Sequence, residues 1–235
     1  MSIIVIPARL GSTRLPRKAL LDICGKPMIE RVYENAVKTG LDVYVATCDK
    51  EIFDCVENFG GKAIMTRSDH TCGTDRIIEA VENIDTDKVI NIQGDEPLIN
   101  IDCIGKLDKA LDECPMASLM VKIDPESATD PNLVKVITDI NSNAIYFSRA
   151  KLPYERNSFE GSFYGHIGVY AYTKEFLLKY GKMPKTPYEK CESLEQLRVL
   201  ENGFKIKMIE VAERPLGVDT MDDYKIVCEE FKKLN

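Results

Sequence analysis

Apolar runs and amphipathic stretches alternate through the first half of the chain. Residues 3–6, 43–46 and 89–92 are short apolar runs, and residues 28–38 and 76–83 between them repeat apolar side chains at helical spacing. A run apolar at nearly every position reads as a strand buried on both faces, and the spaced pattern as a helix covering one of those faces. Strand and helix in alternation predict an α/β fold: a mostly parallel, mixed sheet flanked by helices, which binds ligands at the carboxyl ends of its strands. The second half is less regular. Residues 117–123, 134–138, 144–147 and 166–172 read as strands without a full helix between each pair. Turns such as 139–143 and a loop at 153–165 separate them, which predicts a small antiparallel extension forming an arm or lid. Helices are expected near 191–202 and 221–233, and no internal repeat or linker interrupts the pattern.

A length of 235 residues fits one domain, residues 1–235, with the irregular subregion at about 144–172 as its arm. Hydrophobic residues make up 44% and charged residues 29%, the balance of a packed globular chain rather than a disordered one. The formal charge of −7 argues against nucleic acid as a partner, because phosphate backbones are held by a surplus of Lys and Arg. The eight cysteines are scattered and contain no CxxC pair, as expected of reduced thiols in a cytoplasmic protein. The apolar run at the amino terminus meets Pro7 and Arg9, so it is expected to be a strand and neither a signal peptide nor a membrane span.

Against that acidic background, positive charge is concentrated in IPARLGSTRLPRK, where Arg9, Arg14, Arg17 and Lys18 follow the first strand. In such a turn, which Pro7 opens, backbone amides from Ala8 onward can cradle phosphate oxygens, and the cations can offset charge that develops during phosphoryl transfer. The spacing is neither that of a P-loop nor that of a dinucleotide fingerprint, and a basic solvated loop would have the same composition. The apolar run at residues 89–92 continues through Gln93 into GDEP, which places Asp95 and Glu96 where a parallel strand ends. Magnesium takes one or two carboxylates plus waters and phosphate oxygens, so Asp95 is a candidate ligand; a side-chain turn closed by Pro97 is the alternative. Asp219, in GVDT, either caps the last helix or shares a metal with Asp95.

Three further segments carry polar groups. TRSDHTCGTDR, with Arg67, Cys72, Gly73 and Thr74, either holds a base or ribose or is a capped helix entry. In HIGVYAY, alternation puts His166, Gly168, Tyr170 and Tyr172 on one strand face, as sugar-binding donors or as a satisfied interior cluster. In CESLEQLR, helical spacing brings Glu192, Glu195 and Gln196 together, which a solvated helix face would also do.

In order along the chain, IPARLGSTRLPRK, GKPMIERV, TRSDHTCGTDR, NIQGDEPLI, NLVKVI, AIYFSRAKLP, HIGVYAY, ESLEQLRVLENG and GVDT resemble the 3-deoxy-manno-octulosonate (Kdo) cytidylyltransferases, and the resemblance runs through almost the whole chain. It implies a nucleotide-diphospho-sugar transferase fold, usually a homodimer, that joins CTP and Kdo to give CMP-Kdo and pyrophosphate for lipopolysaccharide or a related glycan. It further implies that Asp95 and Asp219 hold magnesium and that Arg9, Arg14 and Lys18 meet the triphosphate or the sugar acid. By the same resemblance the loop from Arg67 to Thr74 holds cytidine, while Gln93, His166, Tyr170, Glu195 and Gln196 line the sugar site. The chain departs from the family's usual residues at Arg17, for glycine, at Ala19, for proline, and at Cys72, for serine. Another acidic sugar such as 8-amino-Kdo, or a non-catalytic CTP-binding protein of the same fold, are the competing readings.

Overall fold

In the computed structural model, which describes residues 1–11 and 15–234, the first apolar run is β1 (Ser2–Ala8). The chain continues through the short strands β2 (Asp22–Ile23) and β3 (Lys26–Pro27), α1 (Met28–Val37), β4 (Asp42–Thr47), α2 (Lys50–Asn58), β5 (Ala63–Met65), α3 (Gly73–Val81), β6 (Lys88–Asn91) and α4 (Asp102–Ala110). It then forms β7 (Met116–Ile123), β8 (Lys135–Thr138), β9 (Ala144–Ser148), β10 (Phe163–Thr173), α5 (Lys174–Tyr180), α6 (Pro187–Glu192), α7 (Leu197–Glu201), β11 (Lys207–Val211) and α8 (Met221–Leu234). Two compact units result: Met1–Gly105 with the carboxyl-terminal segment from Pro215, and Lys106–Arg214.

In the first unit β1 pairs in parallel with β4 on one side and with β6 on the other, and β5 extends the sheet beyond β4. Ile3, Ile4, Val5 and Ile6 of the central strand are wholly buried, each contributing about 1.5–3 kcal/mol by leaving water. The helices supply the cover: Met28, Ile29, Val32 and Ala36 of α1, Ile52 and Val56 of α2, and Ile77, Ala80 and Val81 of α3 are buried at spacings of three and four residues. Pairing between β1 and β6 ends at Val5 opposite Asn91, so the ends of these neighbouring strands open together. An added Cβ at Gly94 would lie 3.0 Å from the Pro7 carbonyl oxygen, and only a glycine lets the turn after β6 pack that closely on the end of β1.

The second unit is built on β7, which runs antiparallel to β10 and parallel to β11. β8 and β9 form an antiparallel hairpin, in which Asp139 Oδ1 accepts from the Asn141 and Asn143 amides at 2.9 and 2.8 Å to close the expected turn at 139–143. The mostly parallel sheet with a smaller antiparallel part thus has the expected character. One expected helix does not form as such. Residues 191–202 hold the end of α6 and all of α7, because Ser193 adopts a left-handed backbone (φ 54°) that stops α6. The Glu192 carboxylate accepts from Ser148 Oγ at 2.6 Å and the Arg149 amide at 3.0 Å, fixing that helix end to the end of β9.

Candidate active site

A cleft of about 330 Å³ opens in the first unit at the carboxyl ends of β1 and β6. Pro7, Ala8, Arg9, Gly11 and Lys18 contribute from the segment after β1, Gln93, Gly94 and Asp95 from the segment after β6, Cys72 and Gly73 from the start of α3, and Asp219 from the turn before α8. Residues far apart in sequence meet there because parallel strands deliver their following loops to one edge of the sheet.

Lys18 is the centre of this arrangement. Its ammonium donates to Asp95 Oδ2 at 2.5 Å, to the Val218 carbonyl at 2.8 Å and to Asp219 Oδ1 at 3.2 Å. A single cation thus gathers three hard oxygen atoms from two distant segments, and the Val218 amide donates in return to the Asp95 carbonyl at 2.9 Å. Asp219 is not the helix cap. Thr220 Oγ1 accepts from the Asp223 amide at 3.2 Å, while the Asp223 carboxylate accepts from the Thr220 amide and hydroxyl at 2.7 and 2.8 Å. This pairing closes the start of α8 and leaves the Asp219 carboxylate turned to Lys18.

The basic loop is anchored by side chains that the sequence patterns did not single out. The Leu10 amide donates to Asp49 Oδ2 at 2.8 Å, the Arg17 amide donates to the Leu10 carbonyl at 3.3 Å, and the Arg17 guanidinium pairs with Glu51. Arg17 has φ 58°, a left-handed backbone that glycine adopts without cost. That conformation accounts for the glycine usual at this position. The expected phosphate contact Arg14 lies outside the described residues.

On the α3 side, two residues of the TRSDHTCGTDR segment that the sequence patterns do not single out individually also line the cleft. His70 Nε2 contacts Glu79 Oε2, and Arg76, 3% exposed, donates to Thr66 Oγ1 and places a buried cation beside the cleft. The Glu79 carboxyl lies below its ordinary range: burial works against ionisation but is outweighed by hydrogen bonds from His70 and the Arg67 amide. Arg67 itself is exposed, its guanidinium 3.4 Å from Asp69 and 3.7 Å from Glu79, and is not among the cleft-lining side chains. Thr74 is buried in the first turn of α3.

His166, Tyr170, Glu195 and Gln196 lie in the second unit. β10 carries two extra residues between Ile167, opposite Leu119, and Tyr170, opposite Ser118. An even insertion preserves which face each side chain takes, so the rings of His166 and Tyr170 lie 5.4 Å apart and those of Tyr170 and Tyr172 6.0 Å apart. Ser118 fills the irregularity, its Oγ 2.9 Å from both the Val169 carbonyl and His166 Nε2. The hydroxyl has one proton to give, and with that proton on the Val169 carbonyl the imidazole Nε2–H is the donor to Ser118. Burial, with the Arg214 charge adding to it, lowers the His166 pKa to about 3. The Tyr170 hydroxyl is held well above its ordinary range by burial and then by the Glu195 carboxylate, which puts Glu195 in the same cluster; Gln196 is buried beside it in sequence.

An edge of parallel strands presenting a basic loop, a lysine and two convergent carboxylates defines the chain as a nucleotidyltransferase. Residues 3–208 match the family described as Cytidylyltransferase. A 3-deoxy-manno-octulosonate cytidylyltransferase of Francisella tularensis subsp. holarctica is 49% identical, the match covering 97% of this chain and 97% of the relative. One from Fusobacterium nucleatum subsp. nucleatum is 48% identical over 98% of this chain and 97% of its own length. A solved CMP:2-keto-3-deoxy-manno-octonic acid synthetase complexed with CTP superposes with a TM-score of 0.96 at 43% identity, covering 100% of this chain and 99% of that one. The chain belongs to the 3-deoxy-manno-octulosonate cytidylyltransferase family.

Proposed function

We propose that the chain transfers the cytidylyl group of CTP to the anomeric hydroxyl of Kdo, giving CMP-Kdo and pyrophosphate. Family membership at this identity sets the reaction, and the observation that carries its chemistry is the convergence of Asp95, Asp219 and the Val218 carbonyl on one cation. Among the described residues no group of three or more His, Cys, Asp or Glu side chains gathers into a metal site. Two carboxylates with a carbonyl suit magnesium, which keeps waters and completes its shell with phosphate oxygens. Asp95 and Asp219 would hold it, and when bound it would polarise the α-phosphate and favour ionisation of the sugar hydroxyl.

The protein's own groups do the rest. The turn after β1 offers backbone amides and Arg9 to the triphosphate, and the Asp49 carboxylate keeps that turn in place through the Leu10 amide. Lys18 and Arg9 offset charge on the departing pyrophosphate. The α3 entry, with Cys72 and Gly73, faces the nucleotide, and Gln93, just after β6, is the cleft residue that meets the sugar acid. The displacement is in line, with the anomeric oxygen forming a bond to the α-phosphorus as the bond to pyrophosphate breaks, and needs no covalent enzyme intermediate. We further propose that the enzyme works in the cytoplasm as a homodimer, with residues 144–172 as the dimerisation arm, and serves lipopolysaccharide or a related surface glycan. Among the described residues no helix is long and apolar enough to cross a membrane.

Purified protein is expected to release pyrophosphate only when CTP, Kdo and magnesium are all present. Asp95→Asn should lower turnover by at least two orders of magnitude, the scale of losing one preorganised charged group, while the circular dichroism spectrum is retained. Substantial turnover of Asp95→Asn at saturating magnesium would remove Asp95 from the metal site. Release with 8-amino-Kdo but not Kdo would move the error to the sugar pocket.

A further inference from the structure

The hairpin of β2 and β3 turns through Cys24 and Gly25, both left-handed, with φ 52° and 86°. Two successive residues of positive φ form the hairpin turn that favours Asn, Asp or Gly in its first central position, because a side chain there crowds the backbone. Cysteine gains nothing from that conformation. What it gains is a neighbour: Cys24 Sγ lies 3.6 Å from the Cys228 carbonyl oxygen on α8.

The turn is fastened to that helix. Arg31 of α1 donates to the Ile23 and Cys24 carbonyls at 2.9 and 2.7 Å, and its guanidinium stands 4.9 Å from the centre of the Phe231 ring. The Tyr224 hydroxyl donates to the Asp22 carbonyl and is also hydrogen-bonded to the Cys228 thiol. The Lys232 ammonium, one turn beyond Cys228, interacts electrostatically with both sulfur atoms. Both cysteines are half-buried, and neither lines the cleft.

We propose that Cys24 and Cys228 are a site of oxidative modification, a dithiol that a small disulfide such as oxidised glutathione converts to an internal disulfide. One cysteine thiolate attacks a sulfur of oxidised glutathione, forming a mixed disulfide and expelling one glutathione thiolate. The second cysteine thiolate then attacks the protein sulfur of that mixed disulfide and expels the other. The two thiols give up two protons and two electrons, and one oxidised glutathione becomes two reduced molecules. The bond joins residues 204 positions apart, and closing so long a loop restricts the unfolded chain far more than the folded one. It also couples the hairpin that follows Lys18 to the helix that follows Asp219.

The test is to incubate the full-length protein with oxidised glutathione, alkylate the remaining thiols, digest without reduction and map the peptides by mass spectrometry. The expected result is a Cys24 peptide joined to a Cys228 peptide, with a melting midpoint raised by several degrees and restored by dithiothreitol. Cys24→Asn, which keeps a residue suited to the left-handed turn, and Cys228→Ser should lose both signals. Glutathione carried singly on Cys24 or Cys228 with no joined peptide, or joined peptides that omit this pair, would overturn the proposal.

Discussion

Burial takes the His166 imidazole out of the range in which a free histidine titrates, and this has a measurable cost in acid. Its proton affinity in the folded protein falls from 6.5 to about 3, first by loss of water and then by the Arg214 charge. The unfolded chain therefore binds a proton that the folded chain refuses. Stability from this group is complete above pH 6.5 and is lost as pH falls toward 3, at up to about 1.4 kcal/mol per pH unit. His166→Gln, which cannot titrate, is expected to show a flatter fall in urea midpoint between pH 7 and pH 4.5 than the parent protein. Equal slopes would place the acid sensitivity elsewhere. At neutral pH the same shift keeps the ring uncharged beside Tyr170, as a fixed hydrogen-bonding group rather than a cation.

Among the elements, α6 and α7 are joined by a buried ion pair: Arg198 Nε lies 2.8 Å from Glu189 Oε2, its second nitrogen also contacts that carboxylate, and the two residues are 5% and 4% exposed. Removing one partner strands the other charge, so Arg198→Met is expected to cost about 3–5 kcal/mol, whereas Arg198→Met with Glu189→Leu should recover most of that loss. Urea denaturation of the single and double variants measures the difference; a double variant as unstable as the single would mean that packing, not the stranded charge, sets the cost. The sequence pattern is informative for some elements and silent on others. β1, β4 and β6 are legible because their runs are buried on both faces, whereas the two-residue β2 and β3 and the three-residue β5 are too short to show a period. The break between α6 and α7 is hidden for another reason: it depends on what Glu192 touches on the end of β9, not on helix propensity. The same division holds in the cleft. Arg9, Lys18, Gln93 and Asp95 follow strand ends, where a pattern of strands and helices already directs attention. Asp49, His70 and Arg76 acquire their roles from neighbours brought near by folding, and Arg76 in particular reads in sequence like an ordinary charge on a helix.

For the whole molecule, the proposed homodimer predicts a mass in solution of twice the 26.5 kDa chain. Sedimentation equilibrium at micromolar concentration checks it, and a monomer mass would remove the arm at residues 144–172 from that role. The lysine between Asp95 and Asp219 has a further consequence. Because an ammonium on the chain itself pairs with both carboxylates, offsetting one of their two charges, and ties residue 18 to residues 218 and 219, the cleft carries a built-in counter-ion. A chelator should therefore silence the enzyme without loosening it, leaving the melting midpoint in EDTA within a degree or so of the untreated value. Calorimetry with and without the chelator tests this, and a large drop would mean that a bound ion, not Lys18, holds the cleft together. Under the proposed magnesium chemistry such a protein would be made and stored empty, and metal supply would govern its rate rather than its survival.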